Sequence, residues 1–212
     1  VEGHTYTHQI FDQVKFLEPV TKAAFRVVQG TASVLADKAV AIATQDRPGP
    51  VLLDVAMDAQ DAEQPDGAQP NRAPLAPMAP AEGDDLETAR RWLAEAERPL
   101  MVAGVDVLNQ GCATQVADFC RDLDVPLITT YKAKGVLPED DVLALGAAGL
   151  SPKADRHLLP LVGLSDCLVL AGYDPIEMRQ GWRDAWSKDA RVIEFSAAAN
   201  THYVHQAALN FV

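Results

Sequence analysis

A chain of 212 residues, 48% of them hydrophobic, can bury enough apolar surface for one or two domains without a disulfide or structural metal. Its 30 acidic and 18 basic side chains give a formal net charge of −12, which repels nucleic-acid phosphates and anionic lipids and excludes both as natural partners. Cys112, Cys120 and Cys167 form no CxxC pair and fit reduced thiols in a cytoplasmic protein, and no apolar run reaches the ~20 residues of a membrane span.

The chain opens on a polar stretch, Val1-Glu2-Gly3-His4-Thr5, and reads as the inside of a longer polypeptide. Thr31 can cap a helix running to about Gln45, because Leu35, Ala39, Ile42 and Ala43 recur on one helical face. Asp46-Arg47-Pro48-Gly49-Pro50 cannot continue that helix, and Val51-Leu52-Leu53-Asp54-Val55 follows as a buried strand. Residues 1–58 therefore end in helix, turn and strand. Residues 59–83 hold Pro65, Pro70, Pro74, Pro77 and Pro80, a composition that suits an extended linker.

A repeating α/β pattern fills residues 84–212. Asp84 or Asp85 caps a helix with Leu86, Ala89 and Leu93 on its apolar side. Pro99 to Ala103 is a strand, Gly111 to Leu123 a helix, and Val125 to Thr129 a strand. A helix over about Ala154 to Val162 leads to the strand Asp166 to Ala171, and Arg191 to Phe195 is the last clear strand. Continuous apolar strands alternating with amphipathic helices predict an α/β fold: a Rossmann-like, doubly wound parallel sheet. Ligands of such sheets bind beyond the carboxyl ends of the strands, here near Gly104, Thr129-Thr130, Gly172 and Ser196.

Several segments resemble a known family. Pro19-Val20-Thr21-Lys22, a helix, and Arg47-Pro48-Gly49-Pro50-Val51-Leu52-Leu53-Asp54-Val55 resemble the close of the pyrimidine-binding domain of acetolactate synthases and their relatives. Arg98-Pro99-Leu100-Met101-Val102-Ala103-Gly104 is similar to the first strand of their central domain. Val125-Pro126-Leu127 with Lys134-Gly135-Val136-Leu137-Pro138-Glu139-Asp140 resembles the second strand and its loop. Leu145-Gly146 and Gly149 resemble the next glycine-rich turn, and Asp166-Cys167-Leu168-Val169-Leu170-Ala171-Gly172 a later strand. The segments keep the family's order and spacing over almost the whole chain.

The resemblance implies the middle of a three-domain, thiamine-diphosphate-dependent carboligase or decarboxylase of 2-oxo acids. Its partners would be the other two domains of the same polypeptide, assembled as a homodimer or homotetramer. In that family a glutamate early in the first domain activates the cofactor. A Gly-Asp-Gly…Asn motif in the last domain holds its diphosphate and Mg2+. No Gly-Asp-Gly occurs here, so no catalytic residue is assigned and the isolated chain is expected to be inert.

The same resemblance supplies candidate sites. Gln9 and Lys22 match a glutamine and a Thr-Lys pair that face the substrate, and an amide such as Gln9 can hydrogen-bond to a 2-oxo acid carboxylate. His8 and Ile10 depart from the family's Phe-Gln-Glu segment. Gly104, Thr130, Gly146, Gly172 and Ser196 are expected to line a vestigial nucleotide pocket. Acetolactate synthases place glycines after the first central strand and bind FAD there. This chain has Asp106 in that loop, Asp174 where an arginine would align and Ser196 where an aspartate would stand, so FAD is not expected. Another adenine nucleotide, a coenzyme A moiety or a purely structural pocket stays open.

Other motifs have plainer readings. His4 and His8, or His202 and His205, lack a third ligand, and no metal site is assigned. Glu139-Asp140-Asp141 reads as a solvated loop, Trp182 and Trp186 as packing on a short helix, and Cys112 has no base beside it in sequence. A functional reading of a different class is a stand-alone Rossmann-like nucleotide-binding or scaffold module without catalysis.

Overall fold

Residues 11–45, 47–63, 79–202 and 204–212 are described by the computed structural model. The chain divides into two units, residues 1–77 and 78–212. Gln9 and most of the proline-rich stretch lie outside the described residues.

The first unit is built on a βαβ crossover. Helix α1 (Gln13–Leu17) starts at Asp12, whose carboxylate accepts the Lys15 N–H at 3.0 Å. Strand β1 (Ala23–Val27) then pairs in parallel with β2 (Val51–Val55), from Ala23 opposite Val51 to Val27 opposite Val55. Helix α2 (Ala32–Thr44) makes the crossover. The sequence reading found α2 and β2 but not β1. Ala-Ala-Phe-Arg-Val has weak strand character alone, and its pairing with β2, including the Arg26–Asp54 ion pair at 2.8 Å, settles its conformation.

Thr31 does not cap α2 with its side chain. Its hydroxyl donates to the Val28 carbonyl at 2.7 Å and accepts the Val28 N–H, closing the preceding turn instead. The turn α3 (Met57–Gln60) extends helically into what the proline pattern assigned to linker.

The second unit carries a parallel sheet of six strands. In chain order its elements are α4 (Asp84–Glu95), β3 (Pro99–Ala103), α5 (Asp106–Asn109), α6 (Ala113–Asp122), β4 (Leu127–Thr130), β5 (Ala144–Ala148), α7 (Pro152–Leu164), β6 (Cys167–Ala171), β7 (Arg191–Phe195) and β8 (Leu209–Phe211). The spatial order is β5-β4-β3-β6-β7-β8. Counted from β3, that is 3-2-1-4-5-6, the Rossmann order, with its topological switch between β3 and β6.

Alternation along the central strands produces the two layers. Leu100, Val102, Leu168 and Leu170 enter one core with Leu158, Val162, Tyr173 and Trp182. Met101, Ala103, Val169 and Ala171 enter the other with Ala117, Cys120 and Leu127. Strand β6 is buried along its whole length, as expected for a strand covered on both faces.

Four local expectations differ from the structure. Gly83, not Asp84 or Asp85, is the N-cap of α4; the two aspartates lie in its first turn, beside the positive end of the helix dipole. The loop after β3 contains the helical turn α5. Ala-Leu-Gly-Ala-Ala, read as a glycine-rich turn, is the edge strand β5, with Gly146 at φ +116° beside a register shift. Strand β8 extends the opposite edge beyond Phe195. Both missed edge strands are short or lack β-branched residues, and neighbouring strands fix them. No helix among the described residues is long and apolar enough to cross a membrane.

At the amino edge of the sheet, Asp166 ties the entries of β3 and β6 together. Its carboxylate accepts the backbone N–H groups of Glu97 and Arg98, both at 2.9 Å, and the adjacent Ser165 hydroxyl donates to the Arg98 carbonyl. Burial opposes ionisation of Asp166, but these N–H groups hold its carboxyl below its ordinary value. A lowered carboxyl pKa stabilises the fold above about 3.8, and that contribution is lost as pH falls through the folded-state value. Asp166→Ala should therefore cost about 1–2 kcal/mol at neutral pH in urea denaturation, with the gap to wild type narrowing on acidification.

Candidate functional site

The carboxyl edge at the β3/β6 switch is where this topology offers a ligand site. Here the loops after β3 and β6 cross closely. A Cβ on Gly104 would lie 2.2 Å from the Gly172 carbonyl oxygen and 2.6 Å from the Tyr173 Cα. Gly172 stands at φ +54°, and a Cβ on it would lie 2.6 Å from the Val107 nitrogen. The Asp106 N–H donates to the Gly172 carbonyl at 3.2 Å. The loop after β3 is thus folded onto the end of β6, and both glycines are required by chain-on-chain contact.

A strap from Tyr173 to Arg183 crosses the neighbouring strand ends. It contains two 3-10 turns, Pro175–Glu177 and Gln180–Trp182. Glu177 is buried, and its two carboxylate oxygens are shared: Oε1 accepts the Val105 N–H at 3.2 Å and Oε2 accepts the Thr130 hydroxyl at 2.6 Å. One side chain therefore joins the loop after β3 to the last residue of β4. The next residues continue over β5, where the Arg179 N–H donates to the Gly149 carbonyl and Met178 fills the space a Cβ on Gly149 would need. Buried Asp155 accepts the Gly149 N–H at 2.8 Å from below.

The other expected pocket residues scatter. Gly146 pairs with Ile128 inside the sheet, and Gly149 is the glycine at the edge. The Ser196 hydroxyl donates to the Ala198 carbonyl at 2.6 Å, a local turn contact. Asp174 accepts the Ile176 N–H at 3.0 Å and starts the strap. Asp106 is buried, with Asn109 donating to it at 3.1 Å.

Lys22 lies in the first unit. Its ammonium donates to the carbonyls of Gln45 at 2.7 Å and Arg47 at 3.0 Å, where a cation meets the negative end of α2. Gln9 lies outside the described residues.

Sequence reasoning missed Glu177 and the Tyr173–His205 pair. The Asp174-Pro175 step signals a turn, but nothing in sequence says that Ile176 faces out at 73% exposure while Glu177 is 4% exposed. The His205 Nε2 donates to the Trp182 carbonyl, which leaves Nδ1 as acceptor for the Tyr173 hydroxyl at 2.8 Å. Trp186 packs on the imidazole at 4.8 Å between centroids. Trp182 and Trp186 do pack, though around a 3-10 turn.

Reactive groups are quenched. Burial, reinforced by Asp141, pushes the Cys120 thiol up to about 11, and burial with Asp166 does the same for Cys167, so neither is a nucleophile at neutral pH. Burial also raises the Tyr173 hydroxyl far above its ordinary value. Among the described residues no three His, Cys, Asp or Glu side chains gather as metal ligands.

The description "Thiamine pyrophosphate enzyme, central domain" belongs to the family model that matches residues 86–212. A probable acetolactate synthase large subunit of Methanocaldococcus jannaschii is 31% identical over 148 residues, covering 67% of this chain and 25% of that protein. A glyoxylate carboligase of Escherichia coli O157:H7 is 34% identical over 152 residues, covering 69% of this chain and 25% of that protein. The X-ray structure of a candidate thiamin diphosphate-dependent enzyme from Mycobacterium smegmatis superposes on all of this chain and 41% of its own, with TM-score 0.76 and 18% identity, which shows the same fold. The chain spans about a quarter of the length of the two curated relatives.

Two outcomes follow from this geometry. Gly104→Ala forces a Cβ onto backbone and should destabilise the unit by about 3 kcal/mol in urea unfolding. Burial lowers the His205 pKa from 6.5, partly opposed by the Trp182 carbonyl and Asp184. The unfolded chain then binds the proton more readily, so stability is fully present above pH 6.5 and falls as pH drops from there toward the folded value. Asn at position 205 tolerates the left-handed backbone (φ 58°), and His205→Asn should flatten that slope in pH-resolved urea midpoints.

Proposed function

This chain belongs to the thiamine pyrophosphate enzymes, whose central domain it carries at residues 86–212, and from that premise we propose that it is the inner part of an acetolactate-synthase-like carboligase or decarboxylase acting on 2-oxo acids. The ordered run of family-like segments across both units carries the reading. Residues 1–58 are the end of the pyrimidine-binding domain, 59–83 the linker and 84–212 the central domain. The remaining domains of the same polypeptide are its partners, in a homodimer or homotetramer.

The residues present do not fit the cofactor's diphosphate and Mg2+. The sequence contains no Gly-Asp-Gly, and no cluster of metal-ligating side chains stands among the described residues. No chemical step is therefore assigned to this segment. Its part is to fold as a rigid, doubly wound support between the two cofactor-binding domains, and alone it is inert.

The central crevice also holds no flavin on this reading. Asp106 is buried in the β3–β6 crossing, Asp174 is engaged in its own turn, and Ser196 bonds locally, so none of the three is set to receive a pyrophosphate or ribose. A carboxylate near a diphosphate adds like-charge repulsion.

Titration calorimetry of the 212-residue chain with thiamine diphosphate and Mg2+ should show no binding. The full-length polypeptide should release CO2 from a panel of pyruvate, 2-oxobutyrate, glyoxylate and oxalyl-CoA only when thiamine diphosphate is supplied, and should purify without flavin absorbance. A tight cofactor site on the short chain, or cofactor-independent nucleotide binding as its sole activity, would favour the stand-alone module.

A further inference from the structure

The segment between β7 and β8 is fastened to the Tyr173–Arg183 strap by two histidines three residues apart. His205 is buried at φ 58°, a left-handed backbone that a residue with a Cβ adopts at a cost. Its imidazole meets both ends of the strap, the Trp182 carbonyl through Nε2 and the Tyr173 hydroxyl through Nδ1. The Asn200 amide donates to the His205 carbonyl at 3.3 Å and holds the backbone there. His202 is partly exposed, with Nε2 3.6 Å from an oxygen of Asp174, the residue that starts the strap. The two contacts require opposite protonation states. Nδ1 of His205 accepts the phenol proton only while the ring is neutral, whereas His202 attracts Asp174 only when charged. A protonated His205 presents two donors, so the Tyr173 hydroxyl has to turn and accept, and its proton loses the acceptor it now has. Burial holds the His205 imidazole below its ordinary value, opposed in part by the Trp182 carbonyl and Asp184. The charged groups facing Tyr173 are the carboxylates of Glu177, Asp174 and Glu194.

We propose that the two histidines form a pH-operated latch: neutral His205 fastens the β7–β8 segment to the strap, and on acidification that fastening is released while charged His202 tethers the segment to Asp174. The strap itself stays seated, because Glu177 on Val105 and Thr130 and Arg179 on Gly149 involve no imidazole. The opening is therefore local. It frees the segment around His205 while the two cores that hold β3 and β6 stay packed. The inference concerns the second unit alone and does not depend on the reaction proposed above.

The test is hydrogen–deuterium exchange of the full chain read by mass spectrometry, with rates corrected for the intrinsic pH dependence of amide exchange. Peptides that contain His205 should lose protection below pH 6.5 by up to about tenfold per pH unit, the slope of one bound proton. Peptides from β3 and β6 should keep theirs. In His205→Asn, which tolerates the left-handed backbone, the pH response should vanish. Asp174→Asn can still accept the Ile176 N–H, so it should match wild type at neutral pH and deepen the acid loss about twofold. Protection of the His205 peptides that does not change with pH would overturn the proposal. So would a loss shared equally by β3 and β6, or a folded His205→Asn that keeps the response. Should His205→Asn fail to fold, Asp174→Asn decides, and an acid loss equal to that of wild type overturns the latch.

Discussion

The approach of two backbones at the carboxyl ends of β3 and β6 governs the upper half of the second unit. Gly104 can have no side chain because the Gly172 carbonyl and the Tyr173 Cα stand where a Cβ would be. Gly172 adopts positive φ and is itself pressed by Val107. Once these chains touch, the residues after β3 must turn at once into α5, and the chain leaving β6 must run sideways across β4 and β5. That direction delivers Glu177 to Val105 and Thr130. The buried carboxylate of Glu177 is placed by that path.

Beneath it, two apolar layers supply the stability that tolerates such an edge. Consecutive residues of β3 and β6 feed opposite cores, so each strand is held from both faces and neither layer can shift alone. Buried polar side chains sit at the ends of strands and helices, where backbone groups lack ladder partners. Asp155 accepts the Gly149 N–H, the Ser165 hydroxyl donates to the Arg98 carbonyl, and Glu177 accepts the Val105 N–H. Each answers a backbone or hydroxyl group that would be costly to bury unmade, about 1–3 kcal/mol apiece.

The parts of this arrangement legible in the sequence are those that repeat. Pro99–Ala103 and Cys167–Ala171 are apolar runs ended by a glycine, Arg191–Phe195 is a β-branched and aromatic segment ended by a serine, and composition and punctuation identify them. Strands β1, β5 and β8 are not legible, because Ala-rich or three-residue segments become strands only by pairing with a neighbour. The glycines at 104 and 172 are visible in the sequence as special positions, but their mutual close approach is not. Lys22 has a contact the sequence did not announce: a crossover 23 residues long returns the Gln45 carbonyl to the residue that the family resemblance sets toward a substrate. Glu177 had no sequence signal, since its burial depends on a turn whose outer residue is an isoleucine.

These features together explain how one domain can keep a nucleotide-binding topology without the ligand being needed for its fold. In many such sheets the crevice at the switch point holds donors that are satisfied only on binding. Here the donors beside the switch are satisfied by the chain itself, and the acidic residues at 106, 174 and 177 each have a structural contact. A residue engaged in this way has to break a bond before it can hold anything else.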